Sequence, residues 1–314
     1  ADEIVNFAES VQAKIRGHNF LWETHLPTWV NESLSATELD RALKHHINVI
    51  MNRYRGRVYA WDVVNEPISD TPNATFRETI WTHKLGEESV AKALTYARQA
   101  DPVPKLYIND YDIEGINAKS NSLYEVVKSL KKDGKSREPS RHQFADWDDE
   151  GVPLDAIGFQ AHITLGQVPS TLRENLQRFV DLDLDVAITE LDINLRGPAN
   201  DTALAQQAED YHSVVSACLS IERCVSVTIW GVSDDHSWIP DGEVLPWDKN
   251  KEPKQAFFGI ADAFRGNEQC FLHHVLYKYP SIELRHVATG YCYSAQGAEH
   301  TTWVNIDKTN FSLD

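Results

Sequence analysis

The sequence predicts an α/β fold built on a parallel β-sheet closed as a barrel. Strand-like segments alternate with amphipathic helical segments, the order that yields parallel sheets. No Gly-rich phosphate turn follows any strand, which argues against an open nucleotide-binding sheet. Nearly every strand ends in polar or acidic side chains, and in a parallel barrel those ends share the face where barrel enzymes keep their chemistry.

The elements follow in order. ADEIVNFAESVQA reads as an amphipathic helix and KIRGHNFLW as the first strand. ATELDRALKHHINVIMNRY carries apolar residues at helical spacing. VYAWDVVNEP, residues 58–67, is the next strand: six of its first seven residues are apolar or aromatic, which suits burial on both faces, yet it ends in Asn65, Glu66 and Pro67. FRETIWTHKLGEESVAKALTYARQA reads as one amphipathic segment, followed by the strand KLYINDY with Asn109 and Asp110 at its end and the helix NSLYEVVKSLKKD. DAIGFQAHI brings Gln160 and His162, and DVAITELDI brings Glu190 and Asp192. A helical pattern, QQAEDYHSVVSACLSI, then leads into the strand CVSVTIWGV, with Asp234 and Asp235 just beyond it.

Composition narrows the function. With 42% hydrophobic and 25% charged residues the 314-residue chain is an ordinary globular protein. Acidic residues outnumber basic ones by 47 to 30, a net charge of -17, so nucleic acid and anionic membranes are not expected partners. No window of eighteen apolar residues exists, and the first residues do not read as a signal peptide. Cys218 and Cys224 bracket a short helix-to-strand step that a local disulfide could span. With sequons at Asn31, Asn73, Asn200 and Asn310, they point to a secreted glycoprotein. No Cys/His cluster has metal-ligand spacing, and neither metal nor cofactor is expected.

Glu66 and Glu190 end two different strands 124 residues apart. Two carboxylates across a cleft are what glycoside hydrolysis needs, one to protonate the leaving oxygen and one to attack the sugar carbon or activate water. A single glutamate at a strand end is more often structural or solvated, and a single histidine or tryptophan is more often core. Their convergence on one predicted face favours chemistry.

WDVVNEP, LYINDYDIE, DAIGFQAHI, AITELDI and TIWGVSDDHSW, together with GHNFLWETHLPTWV, resemble in this order the signatures of glycoside hydrolase family 10, the endo-1,4-β-xylanases. The resemblance runs from residue 1 to about Arg265. It implies a (β/α)₈ TIM barrel, a xylan substrate and a retaining mechanism in a monomer. Glu190 resembles the nucleophile and Glu66 the general acid/base, with carboxyl groups about 5 to 5.5 Å apart. At that separation the charges repel, so Glu66 can stay protonated while Glu190 is ionised. Asn65 resembles the residue that binds the sugar 2-hydroxyl, and His162 the one that hydrogen-bonds the nucleophile, oriented by Asp192. Gln160 accompanies His162 in the Q-x-H spacing. Trp22, Trp230 and Trp238 resemble aromatic walls for sugar faces and Tyr111 a platform on the leaving-group side, with His18 and Asn109 completing the binding shell.

The chain also departs from the family pattern. Glu23 and His25 stand where the family has His and Gln, changing the distal sugar contact. Six strands are evident where the barrel needs eight; the family's first two strands, with their sugar-gripping Glu, Asn and Lys, are expected to be missing from a barrel spanning 1–266. Residues 267–314 carry strand-like pieces that are not expected to complete it, and the link at 136–151 is longer than the family's. An inactive or sugar-binding fragment and a β-1,4-glucanase remain the alternatives to a xylanase.

Overall fold

The computed structural model describes residues 1–132, 151–266, 284–286, 291–293 and 304–307. Almost all of the long 136–151 link, Asn310 and Cys270 lie outside the described residues. Two compact units divide the chain, Ala1–Phe159 with Arg178–Asp185 and Gln160–Gln177 with Val186–Asp314.

In the first unit α1 (Asp2–Ser10) precedes β1 (Arg16–Leu21), and α2 (Ala36–Arg53) leads to β2 (Ala60–Asn65). Then come α3 (Ile80–Leu85), α4 (Glu88–Ala100), β3 (Lys105–Asp110), α5 (Ala118–Lys132) and β4 (Ala156–Phe159). The four strands pair in parallel in chain order. Helix α2 starts at a capping box in which the Ser35 hydroxyl accepts from Glu38 N and the Glu38 carboxylate accepts from Ser35 N, a device that contributes about 1 kcal/mol. It buries Leu39, Leu43, Ile47 and Met51, one side chain every fourth residue. The segment read as one helix from Phe76 to Ala100 is two, because Gly86 at φ 73° takes the left-handed conformation that ends α3. Helix α1 buries Val5 and is otherwise tied down by polar contacts: Asp2 pairs with Arg53 and accepts from the Tyr54 hydroxyl, while Arg57 donates to Glu9 and Asn6.

A charged residue in the middle of a buried strand needs a counter-charge. Asp62 of β2 finds it in Arg16 of β1, which forks onto its carboxylate and lies 3.9 Å from the Tyr107 ring centre on β3. Between Arg16 and His18, Gly17 gives its side-chain space to Trp61: a Cβ there would meet the indole at 2.1 Å. Trp61 has no easy retreat, since Phe20 packs 4.6 Å from it. Gly17→Ala is therefore expected to cost about 3 kcal/mol, the upper range for overpacking, and to lower the thermal midpoint by roughly 5 °C. A melting curve unchanged within 2 °C or so would contradict the packing described.

The second unit holds most of α6 (Leu172–Val180) and β6 (Asp185–Asn194), with β5 (His162–Thr164), α7 (Asp201–Leu219), β7 (Cys224–Ile229) and α8 (Gln255–Gly266). Strands β5, β6 and β7 are parallel. DAIGFQAHI is thus not one strand: β4 ends at Phe159 and β5 starts at His162, with Ala161 between them at φ 63°. Helices α7 and α8 approach closely at Gly259, where a Cβ would lie 2.2 Å from the Ala208 carbonyl oxygen. The Cys218–Cys224 disulfide joins the last turn of α7 to the first residue of β7, closing a short loop whose restraint contributes about 2 kcal/mol. In the tail, β8 (Leu284–His286) and β9 (Tyr291–Tyr293) form an antiparallel pair, and β10 (Val304–Asp307) runs antiparallel along β7.

Candidate active site

The first unit holds Glu66 at the end of β2 in left-handed backbone, φ 55°. Its amide donates to the Asn109 carbonyl at 2.8 Å. Two donors fix its carboxylate: Trp22 Nε1 reaches Oε2 at 2.9 Å and Asn65 Nδ2 reaches Oε1 at 3.1 Å. Buried Asn109 donates to Asn65 Oδ1 at 2.9 Å, which fixes the Asn65 amide so that its N–H side faces Glu66. Trp22 is itself located by Trp81, whose indole N–H donates to the Trp22 carbonyl at 2.7 Å, and by His25, stacked on it at 5.1 Å. The sequence assigns Trp22 and Asn65 to the sugar; in the structure each holds the Glu66 carboxylate.

His18 lies 3.0 Å from Asp62 Oδ2 through Nδ1 and 2.9 Å from the Asn19 amide through Nε2. Burial alone would raise the Asp62 pKa, but Arg16 and His18 outweigh it and hold the carboxyl below its ordinary range. Tyr111 donates its hydroxyl to Asp70 at 2.5 Å and accepts from Arg77 at 3.0 Å, with Lys119 Nζ 3.4 Å from its ring centre. Asp110 is fully buried, and desolvation lifts its carboxyl to about 7 despite Lys119 at 3.1 Å. Glu23 is half-buried beside Arg77, and desolvation raises its pKa.

In the second unit the β5–β6 register sets His162 directly opposite Asp192. Glu190, two residues earlier, shares the face of Asp192. His162 Nδ1 lies 3.0 Å from Asp192 Oδ2 and Nε2 lies 3.0 Å from Glu190 Oε2. Burial opposes a charge on His162, but the hydrogen bonds to Asp192 and Glu190 prevail and raise its pKa to about 10. At neutral pH it is an imidazolium donating to two carboxylates, which are 4% and 1% exposed at Glu190 and Asp192. Buried Gln160 accepts from the Glu190 amide through its carbonyl at 3.0 Å.

Trp238 is 59% exposed, donates Nε1 to Asp192 Oδ2 at 2.7 Å and sets its ring 5.1 Å from His162; Trp230 lies 6.4 Å from the same imidazole. Asp234 and Asp235 belong to the loop rather than to this cluster: Asp234 pairs with Lys254 at 2.8 Å and accepts from Leu245 N, and Asp235 accepts from Ser233 at 2.5 Å. Among the described residues no group of three or more His, Cys, Asp or Glu could hold a metal ion, and no helix is long and apolar enough to cross a membrane.

Arg77, Asp70, Lys119, Trp81 and Asp62 were not singled out from sequence. Asp62 had a signal, being a carboxylate inside an apolar strand; the others lie on helices and loops with no pattern that ties them to Glu66.

The family model for glycosyl hydrolase family 10 matches residues 1–263. Endo-1,4-beta-xylanase of Agaricus bisporus is 39% identical over 269 residues, covering 84% of this chain and 75% of that protein. Endo-1,4-beta-xylanase A of Phanerodontia chrysosporium is 42% identical over 269 residues, covering 84% of this chain and 61% of that protein. Among solved structures, native xylanase 10B from Thermotoga maritima superposes with a TM-score of 0.76 at 35% identity, covering 84% of this chain and 78% of that one. Xylanase 10B from Thermotoga petrophila RKU-1, in complex with xylobiose, gives 0.76 at 35% identity over 85% and 79%. These neighbours put the alternating strands and helices in the (β/α)₈ barrel class. By the extent of the family match and the identity of these relatives, the chain belongs to glycosyl hydrolase family 10.

Proposed function

We propose that the chain is a retaining endo-1,4-β-xylanase, secreted and monomeric, that cuts the xylan backbone by double displacement. The observation that carries this is the Glu190 carboxylate held by a charged His162, which Asp192 locks from its other side. An imidazolium aimed at Oε2 fixes the plane of the Glu190 carboxylate for attack. Glu66, gripped by Trp22 and Asn65, is suited to move a proton at a fixed position. The printed substrate of the relatives and the xylobiose bound to the T. petrophila enzyme support xylan as the polymer, and the Cys218–Cys224 bond supports an oxidising compartment.

In the first step a Glu190 oxygen bonds to the anomeric carbon as the glycosidic C–O bond breaks, and Glu66 gives its proton to the departing oxygen. In the second, Glu66 takes a proton from water, the resulting oxygen attacks the same carbon, and the ester to Glu190 is released. The net configuration is retained. NMR of xylo-oligosaccharide hydrolysis is expected to show the new reducing end first as the β anomer; early α anomer would exclude double displacement. Absence of any cleavage of soluble xylan would leave the sugar-binding fragment, and faster turnover of soluble cellulose would favour a glucanase.

A further inference from the structure

Three consecutive carbonyls around the general acid/base are all taken by one residue. Arg77 Nε donates to Glu66 O at 3.0 Å, its backbone N donates to Pro67 O at 2.7 Å, and Nη2 donates to Ile68 O at 3.0 Å. We propose that Arg77 is the positioning residue that aims the Glu66 carboxyl at the leaving-group oxygen and couples it to the Tyr111 platform. The inference rests on the retaining reading of Glu66 given above.

The need for such a grip is visible in the backbone. Glu66 is a non-glycine residue in the left-handed region, φ 55°, a conformation that costs on the order of 1 kcal/mol and persists only where the surroundings impose it. Its N–H is fixed by the Asn109 carbonyl at 2.8 Å, and its C=O is fixed by Arg77. With both peptide groups anchored, the Cα–Cβ direction is set, and Trp22 and Asn65 need only trim the carboxylate.

The guanidinium is itself immobilised. Nη1 reaches Asp70 at 3.0 Å and Glu23 at 3.4 Å, and Nη2 also donates to the Tyr111 hydroxyl at 3.0 Å. Asp70 in turn accepts from Tyr111 at 2.5 Å and from Lys119 at 2.8 Å. Arg77's own carbonyl accepts from Thr82 in the first turn of α3 at 2.9 Å. The acid/base backbone and the aromatic platform therefore share one planar fork. Lysine, a single point donor on a flexible stem, cannot span Glu66 O, Ile68 O and Tyr111 together.

The hairpin that carries this segment has its own closures, the Ile68–Phe76 bridge and Ser69 N to Thr75 O at 2.8 Å. Arg77→Lys should therefore fold and lose aim rather than structure.

A misaimed acid hurts only substrates whose leaving group needs a proton. On aryl β-xylobiosides, Arg77→Lys is expected to lower kcat/KM about 100-fold for phenol, since general acid catalysis is worth 10²–10⁴ and a misplacement near 1 Å costs about 10². For 2,4-dinitrophenol, which leaves unaided, the loss should stay within about threefold. Equal losses on both, or none on either, would overturn the assignment. Asp70→Asn, which keeps Arg77 but weakens its brace, should show the same split to a smaller degree and serves if the lysine variant melts early. Turnover of the dinitrophenyl glycoside by the unaltered chain tests the glycosidase reading by itself, and the anomer it first releases tests retention: if turnover is absent, that reading falls and this one with it, whereas if it is present only the leaving-group dependence decides the role of Arg77.

Discussion

Glu190→Gln lowers kcat on soluble xylan by about ten-thousandfold or more while the variant melts close to the parent protein. Glutamine matches glutamate in shape and can still accept from His162, so the cluster stays packed. What it lacks is the anionic oxygen that forms the ester to the anomeric carbon, and removing a nucleophile of this kind costs 10⁴ to 10⁶ or so. The charge change propagates to His162, which loses one of its two carboxylate partners and should titrate below the value of about 10 that it has in the intact site. The Glu190→Gly variant supplies the positive control: azide entering the vacated space should attack from the same side and yield the α-glycosyl azide. Turnover of Glu190→Gln within tenfold of the parent, or a β-azide from Glu190→Gly, would remove Glu190 from the nucleophile's role.

The second large effect is on stability and falls on His162. Replacing it with Gln leaves Glu190 and Asp192, 4% and 1% exposed, without the cation between them. Breaking a buried pair from one side costs on the order of 3–5 kcal/mol, or roughly 5–8 °C in melting temperature for a chain of 314 residues. The pH profile separates this cause from simple loss of packing. Because the folded pKa of His162, about 10, lies above its ordinary value of 6.5, its contribution is complete below about pH 6.5 and declines as pH rises through 10. The parent protein should therefore lose stability between pH 7 and 10 relative to His162→Gln, and the two curves should converge at the alkaline end. Parallel curves would mean that the imidazole is not charged in the folded state.

Much of the fold was legible because its strands are written in long apolar runs that stop abruptly at polar residues. VYAWDVVNEP ends at Asn65 and Glu66, and DVAITELDI places Glu190 and Asp192 two residues apart, so parity alone put both on one face of β6. His162 opposite Asp192 required the β5–β6 register, which the Q-x-H and E-x-D spacings only hinted at. Two boundaries were missed for backbone reasons: Gly86 and Ala161 adopt positive φ inside segments whose side-chain pattern runs on uninterrupted. The carboxylate contacts of Trp22 and Trp238 were also hidden, since a sequence shows that an indole is present but not which carboxylate its N–H meets. Arg77 was least legible, because its partners are main-chain carbonyls, and carbonyls leave no mark in a sequence.

The fastening of α1 has a consequence in ionic strength. Apart from Val5, what secures this helix is a set of exposed charge contacts, Asp2 to Arg53 and Glu9 to Arg57. Screening shortens the reach of such charges from about 10 Å at 0.1 M salt to about 3 Å at 1 M. The buried Arg16–Asp62 pair is shielded from that change. Salt should thus act on this protein selectively, loosening residues 2–10 into hydrogen exchange with solvent while the sheet that carries Glu66 keeps its protection.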